Sequence, residues 1–339
     1  MNHRVPRWNA AVLTALSLMT PRHLARTLLS SLLLASAGLA TAQVYVSSEK
    51  DNQILVLQPD GTPIKTIPVC KRPRHMAWTG GGKQILVACG DSNQLGVVDV
   101  EAGKLVDSIP TAESPEMFSL SPDGKTAYVS IEEDSELAAY DLTSKKPVFA
   151  IKTGGEPEGV QVSPDGKTAY VTSEVASVVY VMDLAQRKAV AQIKVGKRPR
   201  RFALSPDGKE LWVSNELGAS VSVIDTASRS VKQTIAFELP GMRQTDITPV
   251  ALVMTPDGKT AWVTLGRANH VAEVDVASHT VRRVVLVGKR AWGATLSRDG
   301  SRLYVTNGLS DDLSIVDTAA GRAIKTVAAG RVPHSILVK

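Results

Sequence analysis

Residues 121–130 read Ser-Pro-Asp-Gly-Lys-Thr-Ala-Tyr-Val-Ser, and this stretch decides the fold because it recurs along the chain. Related stretches occupy residues 163–172, 205–214, 255–264 and 297–306, and their turn aspartates are 42, 42, 50 and 42 residues apart. A second, independent column of aspartates repeats with the same spacing: Asp99, Asp141, Asp183, Asp225, Asp275 and Asp317. A fixed period of this length is typical of structural repeats that pack side by side.

Each 42-residue unit predicts four short β-strands. In one unit, aliphatic and β-branched runs occupy residues 201–204, 211–214, 221–224 and 231–235, with turn residues between them. The Ser-Pro-Asp-Gly stretch predicts a tight turn, because Pro fixes φ at the second position and Gly accepts the positive φ that follows. Four-stranded units repeated at this period are typical of β-propeller blades.

The two ends of the repeat region predict a closed ring. The chain after residue 42 begins with a second strand at residues 44–47 and ends with a first strand at residues 335–338. We therefore expect an all-β fold, a seven-bladed β-propeller of four-stranded antiparallel blades. The C-terminal strand would join the N-terminal blade, which closes the ring and removes exposed sheet edges. Residues 43–339 would form this single domain.

Residues 1–42 predict an export signal. They contain four arginines and no acidic residue, and an apolar run at 28–39 ends in Ala40-Thr41-Ala42, a small-x-small cleavage pattern. The run is shorter than the roughly 20 apolar residues that a spanning helix needs. Translation from Met19 would give a shorter leader. We expect a periplasmic protein with no transmembrane segment after signal cleavage.

Charge and motif content exclude several function classes. Without the four leader arginines, 35 basic residues face 33 acidic ones, so the net charge falls from +6 to +2. The sequence has no basic run with interleaved aromatics, so we expect no nucleic-acid partner. It also lacks Gly-x-Ser-x-Gly, His-Glu-x-x-His and a phosphate loop. We therefore assign no catalytic residue and favour a protein that is not an enzyme.

One column of the repeat predicts a functional ring. The residue after the start of each first strand should face the same end of the channel, yet its identity differs from blade to blade. The column contains Arg74, Glu116, Glu158, Arg200, Val250, Trp292 and His334. An eight-residue insertion within residues 237–249 adds Arg243 on the same face. These residues, Val250 excepted, are our ligand- or partner-binding candidates. The alternative is that Arg74 pairs with Glu116 and Glu158 with Arg200 as purely structural ion pairs.

The two cysteines leave three possibilities open. Cys70 and Cys89 should lie on the same face in neighbouring blades, so they could form a disulfide or remain free thiols. Alternatively, Cys89 could bind a soft metal such as copper or zinc together with His75 or His334.

The chain resembles known propeller families. Tyr128-Val129-Ser130, Tyr170-Val171-Thr172 and Tyr304-Val305-Thr306-Asn307 resemble the YVTN-type β-propeller repeat. The segments at residues 49–52, 237–241, 248–250 and 287–292 resemble the narrower family of PQQ-dependent catabolism-associated β-propeller proteins. That family is exported and occurs beside systems in which pyrroloquinoline quinone (PQQ) dehydrogenases oxidise alcohols.

The resemblance implies a binding or accessory protein in PQQ-dependent alcohol oxidation. A periplasmic quinoprotein dehydrogenase or a cytochrome would be its partner. No cofactor is required, and whether PQQ or a metal binds is open. Two alternatives follow from similar propellers. One is a lactonase-like, metal-assisted hydrolase that uses the carboxylates Glu116 and Glu158. The other is a propeller that binds a tetrapyrrole such as d1-haem, with His334 as an axial ligand.

Overall fold

The computed structural model describes residues 42–339, and these residues form seven four-stranded antiparallel sheets. The seven-bladed propeller expected from the repeat is thus confirmed. The proposed signal peptide and the alternative start at Met19 lie outside the described residues, apart from Ala42. Within the described range, no helix is long and apolar enough to cross a membrane.

The strands follow one another from the channel outwards in every blade. Blade 1 comprises β28 (Pro333–Val338), β1 (Val44–Ser48), β2 (Gln53–Leu57) and β3 (Pro63–Pro68). Blade 2 comprises β4 (Pro73–Thr79), β5 (Gln84–Cys89), β6 (Gln94–Asp99) and β7 (Lys104–Pro110). Blade 3 comprises β8 (Pro115–Leu120), β9 (Thr126–Ile131), β10 (Glu136–Asp141) and β11 (Lys146–Lys152). Blade 4 comprises β12 (Pro157–Val162), β13 (Thr168–Ser173), β14 (Val178–Asp183) and β15 (Lys188–Lys194).

The remaining three blades repeat this order. Blade 5 comprises β16 (Pro199–Leu204), β17 (Glu210–Asn215), β18 (Ser220–Asp225) and β19 (Ser230–Ala236). Blade 6 comprises β20 (Pro249–Met254), β21 (Thr260–Leu265), β22 (His270–Asp275) and β23 (Thr280–Leu286). Blade 7 comprises β24 (Ala291–Leu296), β25 (Arg302–Asn307), β26 (Asp312–Asp317) and β27 (Arg322–Ala328). Single-turn 3-10 helices occur at Gly80–Gly82, Gly90–Ser92, Glu216–Gly218 and Gln244–Asp246.

The ring closes between the two ends of the repeat region. Strand β28 pairs antiparallel with β1, with Val338 opposite Val44 and Ile336 opposite Val46. Blade 1 therefore takes its innermost strand from the C-terminal segment and its other three from the N-terminal segment. This closure was expected from the sequence and is confirmed.

The repeated turn is built by its own side chains. The Ser121 hydroxyl donates to Asp123 over 2.6 Å, and the same carboxylate accepts the backbone N–H of Lys125 over 3.1 Å. Gly124 has a φ of 68°, which a side chain would strain. These bonds lower the pKa of Asp123, the Ser121 hydroxyl first, because they favour the ionised carboxylate. Ser, Asp and Gly recur together because each satisfies a different requirement of one turn.

The hydrophobic core lies between neighbouring blades. A column of large residues in the second strands is buried: Tyr45, Leu86, Tyr128, Tyr170, Trp212, Trp262 and Tyr304. Each apolar cluster combines residues of adjacent sheets, as in the cluster that contains both Trp212 and Ala261. Because every sheet is covered on both faces by its neighbours, the second and third strands are almost continuously buried.

A hydroxyl column fixes each blade to the next at the channel. In six blades a buried Ser or Thr of the second strand donates to a backbone carbonyl of the following blade over 2.6–3.3 Å. The pairs are Ser47 with Arg74, Ser130 with Glu158, Thr172 with Arg200, Ser214 with Val250, Thr264 with Trp292, and Thr306 with His334. Each hydroxyl also accepts a backbone N–H from the first strand of its own blade over 2.7–3.1 Å. The acceptor residues are the functional column predicted from the sequence.

Blade 2 departs from this pattern. The equivalent position in β5 is Ala88, which has no hydroxyl to offer Glu116 of the next blade. The neighbouring Cys89 instead forms a disulfide with Cys70, across a Cα–Cα distance of 5.7 Å. The bond joins the segment that follows blade 1 to the second strand of blade 2. A covalent link is thus present in the blade that lacks the hydroxyl.

Replacing Thr172 with valine tests the hydroxyl column. Thr172→Val keeps the shape but leaves the Arg200 carbonyl and the Gly159 N–H without their partner, so we expect the free energy of unfolding to fall by about 1–3 kcal/mol. Ala88→Ser is the matched control, because it adds a hydroxyl where blade 2 has none, and it should cost clearly less. Urea denaturation of both variants measures the difference. Equal losses, or no loss for Thr172→Val, would contradict this role.

Candidate functional site

The first strands of the seven blades surround the channel, and all of them begin at the same end. At that end lies a cavity of about 290 Å³, which we call the mouth cavity. Six of the seven binding candidates line it: Arg74, Glu116, Glu158, Arg200, Trp292 and His334. The repeat therefore brought residues as much as 260 positions apart to one site.

Glu158 is the centre of a buried ion network. Its Oε1 lies 2.8 Å from Arg201, 3.4 Å from Arg200 and 3.8 Å from Arg74. Burial alone would raise the pKa of Glu158, but the three guanidinium groups outweigh burial and lower that pKa to about 2. Glu158 is thus an ionised carboxylate that holds three blades together.

A second row of acids supports the arginines. Arg200 contacts Glu174 and lies 3.7 Å from Glu216, while Arg198 lies 2.6 Å from Glu174. Burial, the first cause, raises the pKa of Glu174 to about 7 against the opposing effect of Arg200. These acids follow the second strands of blades 4 and 5. Arg200, only 5% exposed, is therefore held between two blades.

Glu116 forms the other half of the network. It contacts both Arg72 and Arg74 and is 1% exposed. Burial and the nearby charge of Glu158 raise the pKa of Glu116, so this pair of carboxyl groups takes up its first proton at Glu116. The structural ion pairs considered from the sequence, Arg74 with Glu116 and Glu158 with Arg200, are therefore both present.

In blades 6 and 7 the residue that follows the second strand is a glycine, not an acid. The position that carries Glu174 and Glu216 in blades 4 and 5 is Gly266 in blade 6 and Gly308 in blade 7. Gly308 lines the mouth cavity, and a Cβ at this position would meet no atom closer than 3.9 Å. This side of the cavity is therefore both open and free of the carboxylates that neutralise the other arginines.

Trp292 lies on this open side between two cations. The guanidinium carbon of Arg200 is 5.0 Å from the ring centroid, and that of Arg290 is 4.8 Å from it. Both distances are within the range of cation–π attraction. Within residues 42–339, nothing accepts the indole N–H of Trp292, although this nitrogen is buried. The site thus presents an indole N–H without an acceptor and two cations over the ring, of which Arg200 is already paired with Glu158 and Glu174.

His334 supplies a second free donor. Its Nε2 lies 3.2 Å from Arg201, and because a guanidinium can only donate, this nitrogen accepts. Burial, with Arg74 and Arg201 close by, lowers the pKa of His334 well below its usual value, so the ring is neutral. The proton of the neutral ring must then be on Nδ1, which is buried and finds no acceptor among the described residues. The ring centroids of His334 and Trp292 are 6.0 Å apart.

Several residues of the site do not belong to the ring column that was predicted from the sequence. Arg201 faces the channel beside Arg200 because β16 contains a bulge, where the register with β17 shifts between Pro199 and Phe202. Simple alternation would have sent Arg201 to the other face. Glu49, Glu132, Glu174 and Glu216 were also missed, although they form a column of their own immediately after the second strands. Aligning that column as well would have found them.

Arg243 does not join the mouth cavity. Its side chain is 82% exposed and binds Asp246, three residues further on, over 2.8 Å. The inserted segment at residues 237–249 turns back on itself through the short helix Gln244–Asp246. Arg243 therefore lies outside the mouth cavity that the other six candidates line, and its role in binding a partner stays a prediction.

The metal site suggested for His75, Cys89 and His334 is wrong. Cys89 is bonded to Cys70 and cannot act as a thiolate ligand. The His334 Nε2 already faces Arg201, and burial with the nearby Arg201 lowers the pKa of His75 to about 3, so the surroundings disfavour a cation. Among the described residues, no group of three or more His, Cys, Asp or Glu side chains could hold a metal ion.

Comparisons with known proteins agree with this fold. A family model described as the lactonase seven-bladed β-propeller matches residues 182–339, and the YNCE-like β-propeller model matches residues 137–204. The chain is similar to both propeller families. Neither match is to the narrower PQQ-associated family. Among curated proteins, no significant match was found.

Comparisons with solved structures lead to the same conclusion, at low sequence identity. A hydrazine synthase chain from Kuenenia stuttgartiensis is 23% identical, with a TM-score of 0.72 over 82% of this chain and 92% of that one. The periplasmic gluconolactonase PpgL of Pseudomonas aeruginosa is 19% identical, with a TM-score of 0.75 over 88% and 98%. The dihydro-haem d1 dehydrogenase NirN is 16% identical, with a TM-score of 0.66 over 87% and 74%. These similarities show the fold alone.

Removing the charge of Glu158 tests the network. Glu158→Gln leaves three buried guanidinium groups without their shared partner, so we expect about 3–5 kcal/mol lower stability at pH 7. Because the folded-state pKa is lowered, the stabilising effect of Glu158 is complete above pH 4.5 and is lost as the pH falls towards 2. The difference between wild type and variant should shrink over that interval. Urea unfolding at pH 7 and pH 3 measures it.

The exposed Glu133→Gln, in a loop of the same face, is the control for that experiment and should leave stability unchanged. A Glu158→Gln difference that stayed constant down to pH 2.5 would mean that the ionised carboxylate is not the stabilising group.

Proposed function

We propose that this protein is an exported binding protein whose mouth cavity takes a small, flat organic anion. The observation that carries the proposal is the set of groups around Trp292. Two buried N–H donors, of Trp292 and His334, have no acceptor in the described chain, and Arg200 and Arg290 flank the indole ring. A ligand that accepts hydrogen bonds and carries negative charge complements these donors and the cation of Arg290.

The donor set favours an anion over the other ligands considered. A divalent metal needs free carboxylates or imidazole nitrogens, whereas Glu116 and Glu158 already contact arginines. A haem iron would need the His334 Nε2 that accepts from Arg201. A cavity of about 290 Å³ is also small for a tetrapyrrole, since ligand pockets generally start near this size. The metal-assisted and tetrapyrrole alternatives therefore fit the residues poorly.

PQQ belongs to the chemical class that fits. It is a planar quinone with three carboxylates, so Arg290 would face one carboxylate while the N–H groups of Trp292 and His334 donate to its oxygens. PQQ transfers two electrons in the dehydrogenases that use it, and here the protein would bind it without turning it over. We therefore propose an accessory role in PQQ-dependent alcohol oxidation, in the periplasm, beside a quinoprotein dehydrogenase or a cytochrome. The resemblance of residues 49–52 and 287–292 to the PQQ-associated family supports this assignment.

Two substitutions at the open side of the mouth should abolish or weaken PQQ binding. Gly308→Glu adds the acid that blades 4 and 5 carry at this position, and its Cβ fits without a clash. We expect at least tenfold weaker binding, because the new carboxylate repels the anion and neutralises Arg290. Arg290→Ala removes one cation from the indole face and should weaken binding about tenfold. Isothermal titration with PQQ measures both.

Matched controls distinguish the effect of charge on PQQ binding from the effects of side-chain volume and of misfolding. Gly308→Gln introduces a side chain of the same size as Gly308→Glu but without the charge. It should therefore bind PQQ more tightly than Gly308→Glu does. Arg243→Ala removes an exposed arginine of the same face outside the cavity and should bind as wild type. If PQQ and simple carboxylates all fail to bind the wild-type protein, the proposal is wrong.

A second candidate function is lactone hydrolysis. The match of the lactonase model to residues 182–339 favours it, and a buried carboxyl of raised pKa, Glu116, borders the cavity. Such a group could exchange protons with a substrate near neutral pH. Because the acids are paired with arginines, hydrolysis here would not depend on a metal.

Turnover of lactones distinguishes the two candidates. We expect the purified protein to hydrolyse gluconolactone no faster than buffer, with or without calcium or zinc. Hydrolysis that survives chelation and disappears in Glu116→Gln, while the exposed Glu133→Gln retains it, would favour the enzyme instead. The opening of the lactone ring can be followed by the acid that it releases.

A further inference from the structure

A second cavity, of about 210 Å³, lies deeper in the channel, and we call it the inner cavity. It shares two walls with the mouth cavity, the side chains of Trp292 and His334. The two spaces are therefore adjacent, and the aromatic pair that would bind the anion also borders the inner cavity. The proposed function uses only the mouth.

The inner cavity is lined mainly by apolar side chains. They come from the first strands of five blades, one or more residues further along than the ring that forms the mouth: Met76, Met117, Phe202, Leu252, Ile336 and Leu337. Ala251, Gly293 and Ala294 leave room between these larger residues. Apolar side chains thus make up the larger part of its wall, and burying hydrocarbon against them is favourable.

The polar groups of the inner cavity do not supply a free charge. Arg201 is the one guanidinium among its lining residues, and Arg201 lies 2.8 Å from the ionised Glu158. His75 and His334 are neutral at pH 7, since burial and nearby arginines lower the pKa of both rings. A carboxylate would therefore be bound at the mouth, and an uncharged chain is what the inner cavity can accept.

We propose that the anion site also takes an amphipathic ligand, a carboxylate with a short aliphatic chain that extends past Trp292 into the inner cavity. The carboxylate receives the N–H groups of Trp292 and His334 and faces Arg290. The chain packs against Met117, Phe202 and Leu252. This inference rests on the proposed anion site and adds a ligand class to it, whereas PQQ, which has no aliphatic chain, would occupy the mouth alone.

The dependence of affinity on chain length tests the inference. We will titrate the mature wild-type protein with acetate, butanoate, hexanoate and octanoate, and separately with PQQ. Burial of each additional methylene should tighten binding about fourfold until the inner cavity is full. Butanol and hexanol, which lack the carboxylate, should bind at least tenfold more weakly than the acids of equal length.

Filling the inner cavity should remove the chain-length effect alone. Met117→Trp, with Met242→Trp in the exposed insertion as its control, should bind hexanoate no better than acetate while binding PQQ as wild type. Ala251→Leu narrows the same cavity and replaces Met117→Trp if that variant does not fold.

The outcomes separate this inference from the proposed function. If PQQ binds but affinity is the same for acetate and hexanoate, the inference is overturned and the mouth site stands. If hexanol binds as tightly as hexanoate, the carboxylate is not recognised and the amphipathic ligand class is wrong. If neither PQQ nor any carboxylate binds, both fail.

Discussion

The structure depends on one side-chain hydroxyl in each of six blades, with a disulfide in blade 2. A Ser or Thr such as Thr172 receives an N–H from its own innermost strand and donates to a carbonyl of the next blade. That carbonyl belongs to the residue that faces the mouth. Near the axis the blades are too close together for large side chains to pack between them. The hydrogen-bonded hydroxyl therefore takes the place of apolar contact at this position. The same bond that joins two blades therefore also sets the position of a functional side chain.

The charges at the mouth follow from this construction. Arg200 and Glu158 are almost fully buried because their backbones are fixed beside the axis, where seven strands converge. A buried charge is tolerated only when it is paired, and here acids and arginines of neighbouring blades satisfy one another. Stability thus accounts for most of the charged residues. The side formed by blades 6 and 7 differs, because Gly266 and Gly308 stand where blades 4 and 5 carry acids and the indole N–H of Trp292 has no acceptor among the described residues.

The sequence predicted the fold almost completely and the site in part. A period of 42 residues, with its turn motif and the phase of its ends, is sufficient to derive seven blades and the closing strand. The repeat also placed Arg74 and His334 in one ring, because equivalent positions of a symmetric repeat occupy equivalent places around the axis. Arg201 was missed because a bulge breaks the alternation of β16. The repeat could not show that Arg243 lies outside the cavity, because an insertion has no counterpart in the other blades and Arg243 pairs locally with Asp246.

The pairing of β28 with β1 has a consequence for how the molecule is made. Twenty-six strands lie between these two partners in chain order, so the ring remains an open arc until β28 has left the ribosome. Until then β1 presents an unpaired edge, and no arrangement of the first six blades can satisfy it. The ring is therefore completed late, when β28 pairs with β1. Contacts between segments so far apart in the sequence form slowly. A nascent chain of this kind needs protection against self-association for as long as its synthesis takes.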